Sequence, residues 1–140
     1  MNEKIEQYER FINEQLKNDL EKILFSRDAL YKELGDYLEL RNNIELIKTQ
    51  NLTSLETRVN LGSDFYVDAK IPDTTYVYVL VGLGFHVQMT LDEAQKFIQE
   101  KENALNKEIE QVTQQSLGVK MRIKTMYGYI AQLMGLNPTN

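Results

Sequence analysis

Tyr76-Val77-Tyr78-Val79-Leu80-Val81-Gly82-Leu83-Gly84-Phe85-His86-Val87-Gln88-Met89-Thr90-Leu91-Asp92-Glu93 decides the fold, because it carries two strands, the turn between them and the start of a helix. Tyr76 to Val81 is apolar at successive positions, as in a strand covered on both sides. Gly82-Leu83-Gly84 lacks the third glycine and the following helix of a dinucleotide fingerprint, so it reads as a hairpin turn. Phe85, Val87 and Met89 alternate with His86 and Gln88, the period of a half-buried strand. Thr90-Leu91-Asp92-Glu93 then reads as a capping box, with Glu93 placed to reach back to the backbone of Thr90.

Downstream of that box the apolar period is helical. The seam runs Ala94, Ile98, Lys101 and Leu105, then, after a stutter, Ile109, Val112, Ser116, Val119, Ile123, Met126, Ile130 and Leu133. Gly135 and then Pro138 are a glycine stop followed by a residue that cannot continue a helix. Upstream, Phe65, Val67, Ala69 and Ile71 alternate with Tyr66, Asp68 and Lys70, and a shorter run spans Thr57 to Leu61. Gly62-Ser63 and Pro72-Asp73-Thr74 supply turn chemistry between these runs. Four strands are expected, hence two hairpins.

Further upstream a second heptad seam passes through Leu16, Leu20, Ile23, Arg27, Leu30, Leu34, Tyr37, Arg41 and Ile44. Ile5, Tyr8 and Ile12 precede it, and the step from Ile12 to Leu16 is a four where a three is due, a stutter that locally unwinds a supercoil. One helix over this segment would be about 70 Å long at the usual rise and would need a partner helix. If the chain turns back through the strands, the two helices pair antiparallel, with facing residue numbers summing to roughly 141. That register sets Tyr8 near Leu133, Ile23 near Gly118 and Arg41 near Glu100. Arg27 and Arg41 at seam positions either fix that register or let long stems snorkel.

Composition removes most chemistry. The 140 residues are 42% apolar and 26% charged, which suits one domain, and with seven glycines and two prolines no linker appears. The absence of cysteine removes disulfides, thiolate metal sites and cysteine nucleophiles. A single histidine, His86, on the wet face of its strand, leaves no metal site and no nucleophile system, so no catalytic, cofactor or metal residue is expected. The net charge of −5 argues against direct binding to nucleic acid or membrane surfaces. A polar N-terminal stretch, and no apolar run long enough to span a bilayer, lead us to expect a cytosolic or nuclear protein, and the resemblance given below implies both cytoplasm and nucleus. Asn51-Leu52-Thr53 is then a chance match to the glycosylation pattern.

The chain resembles the alpha-type prefoldin subunits, in which a helix, two hairpins and a second helix follow in that order. The residues that carry the resemblance are Asn60-Leu61-Gly62, Phe65-Tyr66-Val67-Asp68, Ile71-Pro72-Asp73-Thr74, Val79, Gly82-Leu83-Gly84-Phe85 and Thr90-Leu91-Asp92-Glu93-Ala94. Arg27-Asp28, Tyr31, Tyr37-Leu38 and Leu40-Arg41-Asn42 place the resemblance in the prefoldin-like branch. It departs at His86-Val87-Gln88, where a more aromatic and acidic run is usual.

The resemblance implies an α+β fold: a long antiparallel two-helix coiled coil with two central β-hairpins, in a single domain over 1–140. The expected parts are a helix over about 3–51, hairpins over about 57–89 and a helix over about 91–135. It implies a non-catalytic subunit of a hetero-oligomeric, ring-shaped prefoldin-like cochaperone complex, scaffolding protein-complex assembly, with a part in transcription regulation. Other alpha and beta subunits would be its partners, with AAA-type ATPase cochaperone and RNA polymerase subunits beyond them. Two alternatives stay open. One is a conventional prefoldin subunit that delivers unfolded actin or tubulin to a cytosolic chaperonin, and the other is a stand-alone transcription cofactor.

Two surfaces are expected to act. Phe65, Val67, Ala69, Tyr76, Tyr78, Val79, Val81, Phe85 and Val87 are candidates for the subunit interface, since strands this apolar need cover the chain does not supply. Ile5, Tyr8, Phe11, Ile12, Met126, Tyr127, Ile130 and Leu133 lie at the helix ends. They are either ordinary coiled-coil core or an adaptable client or partner surface.

Overall fold

The computed structural model describes residues 2–50, 55–60, 66–71 and 73–135. Helix α1 spans Asn2–Phe11, a π turn spans Ile12–Leu16, and α2 spans Lys17–Thr49. Strands β1 (Leu55–Asn60), β2 (Tyr66–Ile71), β3 (Tyr76–Gly82) and β4 (Phe85–Thr90) follow, and α3 runs over Leu91–Leu133. The order helix, hairpin, hairpin, helix is the expected one. The Gly62-Ser63 turn, Pro72, Pro138 and Asn51-Leu52-Thr53 lie outside the described residues.

The stutter takes a definite form. From Ile5 to Ile23 the seam has one residue more than an even three-four alternation allows, and the π turn at Ile12–Leu16 takes up that residue. Ile12 and Leu16 both stay buried as a result. The stutter between Leu105 and Ile109 lies inside an unbroken α3, and both residues are buried there.

The chain forms two compact units, Met1–Glu33 with Leu105–Asn140, and Leu34–Ala104. In the first, Ile12, Leu16, Val119 and Ile130 form a buried cluster, with Ile5, Tyr8, Leu20, Ile23, Ile123 and Met126 packed against it. The Tyr8 and Tyr129 rings meet with centroids 6.5 Å apart, while Ile23 lies beside Gly118 and Val119, so the helices of this unit run antiparallel. Gly135 ends α3 with φ 71°, and its N–H donates to the carbonyl of Gln132 at 3.0 Å, a left-handed stop that glycine adopts without steric cost.

The second unit joins helix to hairpin. Strands β3 and β4 pair antiparallel, with Val79 opposite Val87 and Leu80 opposite His86, but Phe85 pairs with Gly82, so Val81 is bulged out of the ladder. The buried Tyr37 of α2 donates its hydroxyl to the carbonyl of Leu80 at 2.7 Å, beside that bulge, and its ring meets Phe97 of α3 edge-on. Arg41 pairs with Glu102, two residues along α3 from the expected Glu100, and Lys48 pairs with Asp92 and donates to Gln95 at 2.8 Å. Thr90 ends β4 and caps α3 at once, its hydroxyl accepting the Glu93 N–H at 3.2 Å. The other hairpin pairs β1 with β2, Arg58 opposite Asp68 at 3.6 Å, as a separate two-stranded sheet.

The hydroxyl of Tyr37 ties a strand to a helix at a part-buried site, where a hydrogen bond contributes about 0.5–1.5 kcal/mol. Tyr37→Phe is therefore expected to lower stability by about 0.5–1.5 kcal/mol in urea unfolding, against less than about 0.5 for Tyr31→Phe, whose ring is exposed. Equal midpoints for the two variants would contradict the role given to this bond.

Candidate subunit and partner interfaces

The alternation of β3 sorts its side chains sharply. Val79 is 1% exposed, Val77 and Val81 are half-buried, and Tyr76, Tyr78 and Leu80 on the other face are open. Among the described residues the chain covers one face of β3 and leaves the other, on which Tyr78 is 68% exposed, so the expected cover of that second face would come from outside the chain. Val79 belongs to the packing inside the chain, alongside buried Ile44, Ala94 and Ile98 among the helical residues of its unit. It is not free surface.

Phe85 is 67% exposed at the turn end of β4, and Val87 is also open although it shares the Val79 face. In β2, Tyr66, Val67, Asp68 and Lys70 are all exposed, so at these positions neither face of the first hairpin is covered by the chain. Phe65 and the side chain of Ala69 lie outside the described residues. Leu83 sits at the β3–β4 turn with φ 51° and is 97% exposed. A leucine there costs about 1–2 kcal/mol relative to its ordinary backbone conformations. The Gly-Leu-Gly pattern signals the turn but not that its leucine is held outward in the left-handed region.

At the turn into β3 the Thr75 hydroxyl donates to Asp73 at 2.6 Å and its N–H at 3.0 Å, holding the Asp73 carboxyl below the usual carboxylate range. The group is fully exposed, and the arrangement is a local turn. Among the described residues no cluster of His, Asp and Glu side chains could hold a metal ion, and no helix is long and apolar enough to cross a membrane.

The helix-end candidates divide in two. Ile12 and Ile130 are buried in the core cluster, and Ile5, Tyr8 and Met126 pack against it, so they follow the coiled-coil reading. Phe11 and Tyr127 are open, together with Tyr129 and Met134 of the same helix end. Leu133 is half-buried and lines a recess of about 220 Å³ with Lys4, Tyr8, Tyr129 and Gln132.

The family model described as Prefoldin subunit matches residues 16–135. The chain is 45% identical over 132 residues to the Protein UXT homolog of Dictyostelium discoideum, covering 94% of this chain and 82% of that one. To the Protein UXT of Homo sapiens it is 40% identical over 134 residues, covering 96% and 85%. A filamentous PFD from Methanocaldococcus jannaschii, solved by cryo-EM, aligns over 96% of this chain and 98% of that one with a TM-score of 0.48 and 22% identity.

Inner and outer faces of β3 should respond differently to charge. Val79→Asp buries a carboxylate and is expected to cost about 3 kcal/mol or more, seen as a collapsed thermal transition. Tyr78→Glu, on the open face, is expected to shift stability by less than about 0.5 kcal/mol. A melting temperature that falls equally for both would mean the outer face is also packed within the chain.

Proposed function

The chain belongs to the prefoldin family and to its UXT branch, and from this premise we propose that it is a non-catalytic subunit of a hetero-oligomeric prefoldin-like cochaperone complex that scaffolds protein-complex assembly. The observation that carries the reading is the open face of β3, Tyr76, Tyr78 and Leu80, beside the exposed Phe85 and Val87. Each hairpin is a separate two-stranded sheet, so among the described residues each strand keeps one edge with no partner strand. Two-stranded sheets are marginal alone in water, and an apolar face with free edges is completed by strands from neighbouring subunits. Burying that face in an assembly is worth about 25 cal/mol for each Å² of apolar surface removed from water. Alpha-type and beta-type prefoldin chains are the partners that supply such strands.

Beyond the ring, the reading extends to AAA-type ATPase cochaperone and RNA polymerase subunits as assembly partners, to a part in transcription regulation, and to residence in cytoplasm and nucleus. The similarity to UXT proteins supports this version over a conventional prefoldin subunit serving actin and tubulin. The single domain over 1–140 is part of the same proposal.

Affinity purification of the tagged full chain with mass spectrometry tests the reading. Prefoldin-type subunits together with ATPase-bearing cochaperone and polymerase subunits are the expected set, and Tyr78→Glu with Phe85→Glu should remove them while the chain keeps its helical content. Recovery of chaperonin with the conventional prefoldin set would favour the alternative, and recovery of neither would refute assembly altogether. At the helix end, Phe11→Ser with Tyr127→Ser is expected to leave assembly intact and to weaken capture of unfolded protein in a light-scattering aggregation assay, since open aromatic side chains there adapt to varied apolar partners. Loss of assembly in that variant would assign those residues to structure instead.

A further inference from the structure

From Gln111 to Asn140 the chain has no aspartate or glutamate, while Lys120, Arg122 and Lys124 fall in its helical part. The rest of the molecule is therefore more acidic than the net charge of −5 suggests, and α3 ends in a basic stretch. Lys120 and Lys124 are both exposed and one helical turn apart, a like-charge pairing that destabilises a helix by about 0.2–0.5 kcal/mol. Among the described residues neither has a recorded ion pair.

The same face carries apolar surface. Leu117, Lys120, Met121 and Lys124 follow at the spacing that puts side chains on one side of a helix, away from the Ser116, Val119 and Ile123 seam. Met121 is 70% exposed and Leu117 is open to a lesser degree. One turn beyond Lys124 on that face is Gly128, where an added Cβ would meet no atom within 4 Å. Glycine inside a helix costs about 0.5–1 kcal/mol relative to alanine, and no packing within the chain requires it there. Exposed apolar side chains, two uncompensated lysines and a flat spot thus share one stripe, each unfavourable for the chain on its own.

We propose that this stripe of α3 docks an acidic amphipathic helix of a partner protein, whose apolar residues cover Leu117 and Met121 and whose carboxylates meet Lys120 and Lys124. The missing Cβ at Gly128 lets that helix approach closely. A partner of this chemistry is favoured over a polyanion because Leu117 and Met121 stand exposed beside the lysines, and their burial needs an apolar stripe that a phosphate backbone does not offer. The stripe is separate from the strand faces proposed above as the subunit interface, so it goes beyond the ring reading.

The probe is a designed amphipathic helix with glutamates flanking its apolar stripe, labelled for fluorescence anisotropy and titrated with the full chain. Lys120→Glu with Lys124→Glu should weaken binding at least about tenfold, and a probe with lysines in place of the glutamates should recover binding to that variant. Gly128→Leu should weaken the acidic probe without lowering the melting temperature. Equal affinity of wild type and the double variant for the acidic probe would overturn the proposal. Tighter binding to phosphatidylserine vesicles or single-stranded RNA, lost in the double variant, would also overturn it by assigning the stripe to a polyanion.

Discussion

The hydrogen bond from the Tyr37 hydroxyl to the Leu80 carbonyl is the point where two incompatible periods are made to meet. A helix presents side chains every three or four residues and a strand every two, so a hairpin cannot lie on a helical pair by continuing either pattern. The bulge at Val81 interrupts the ladder of β3, and the phenol of α2 receives the adjacent carbonyl. Tyr37 also stacks its ring edge against Phe97, so one side chain contacts α2, α3 and β3 together. Val79 is oriented inward beside this anchor, and the remaining side chains of the strand follow from that orientation by alternation.

Fixing Val79 inward has a cost on the opposite face. Tyr76, Tyr78 and Leu80 are turned outward by the same alternation, and no element among the described residues covers them. The hairpin tip adds to this exposure, since Leu83 is held in the left-handed region where asparagine or glycine would relieve strain. Folding of the single chain therefore leaves an apolar surface whose burial would favour association, as the proposed subunit interface requires.

Much of this was legible in the sequence because it is periodic. Every residue assigned to the α3 seam, from Ala94 to Leu133, is buried or half-buried, and the excess residue between Ile5 and Ile23 marked the place of the π turn. The Thr90 cap and the Gly135 stop were legible for a different reason, since their chemistry is local. What escaped were facts that depend on distance in space. The six apolar residues of Tyr76–Val81 do not reveal which alternate face finds a helix, Arg41 could not choose between Glu100 and Glu102 from a summed register, and the Tyr37 hydroxyl joins residues 43 positions apart. Apolar identity alone also failed to separate buried Ile12 and Ile130 from exposed Phe11 and Tyr127 at the same helix end.

The polar residues within the seams show how the helical pairing is specified as well as stabilised. Ser116 is almost fully buried yet satisfied locally, its hydroxyl donating to the Thr113 carbonyl at 2.7 Å, so it loosens the seam without demanding a partner. Arg41 is satisfied across the pair by Glu102. Arg27 differs from both, because its buried Nε has no hydrogen-bond partner among the described residues. An apolar residue at each position would pack more favourably, but it would also tolerate a slipped register in which Leu and Ile layers exchange neighbours. A charge that finds its carboxylate in one alignment penalises the others, and the Arg41–Glu102 pair fits that role as well as it fits a long stem covering the seam.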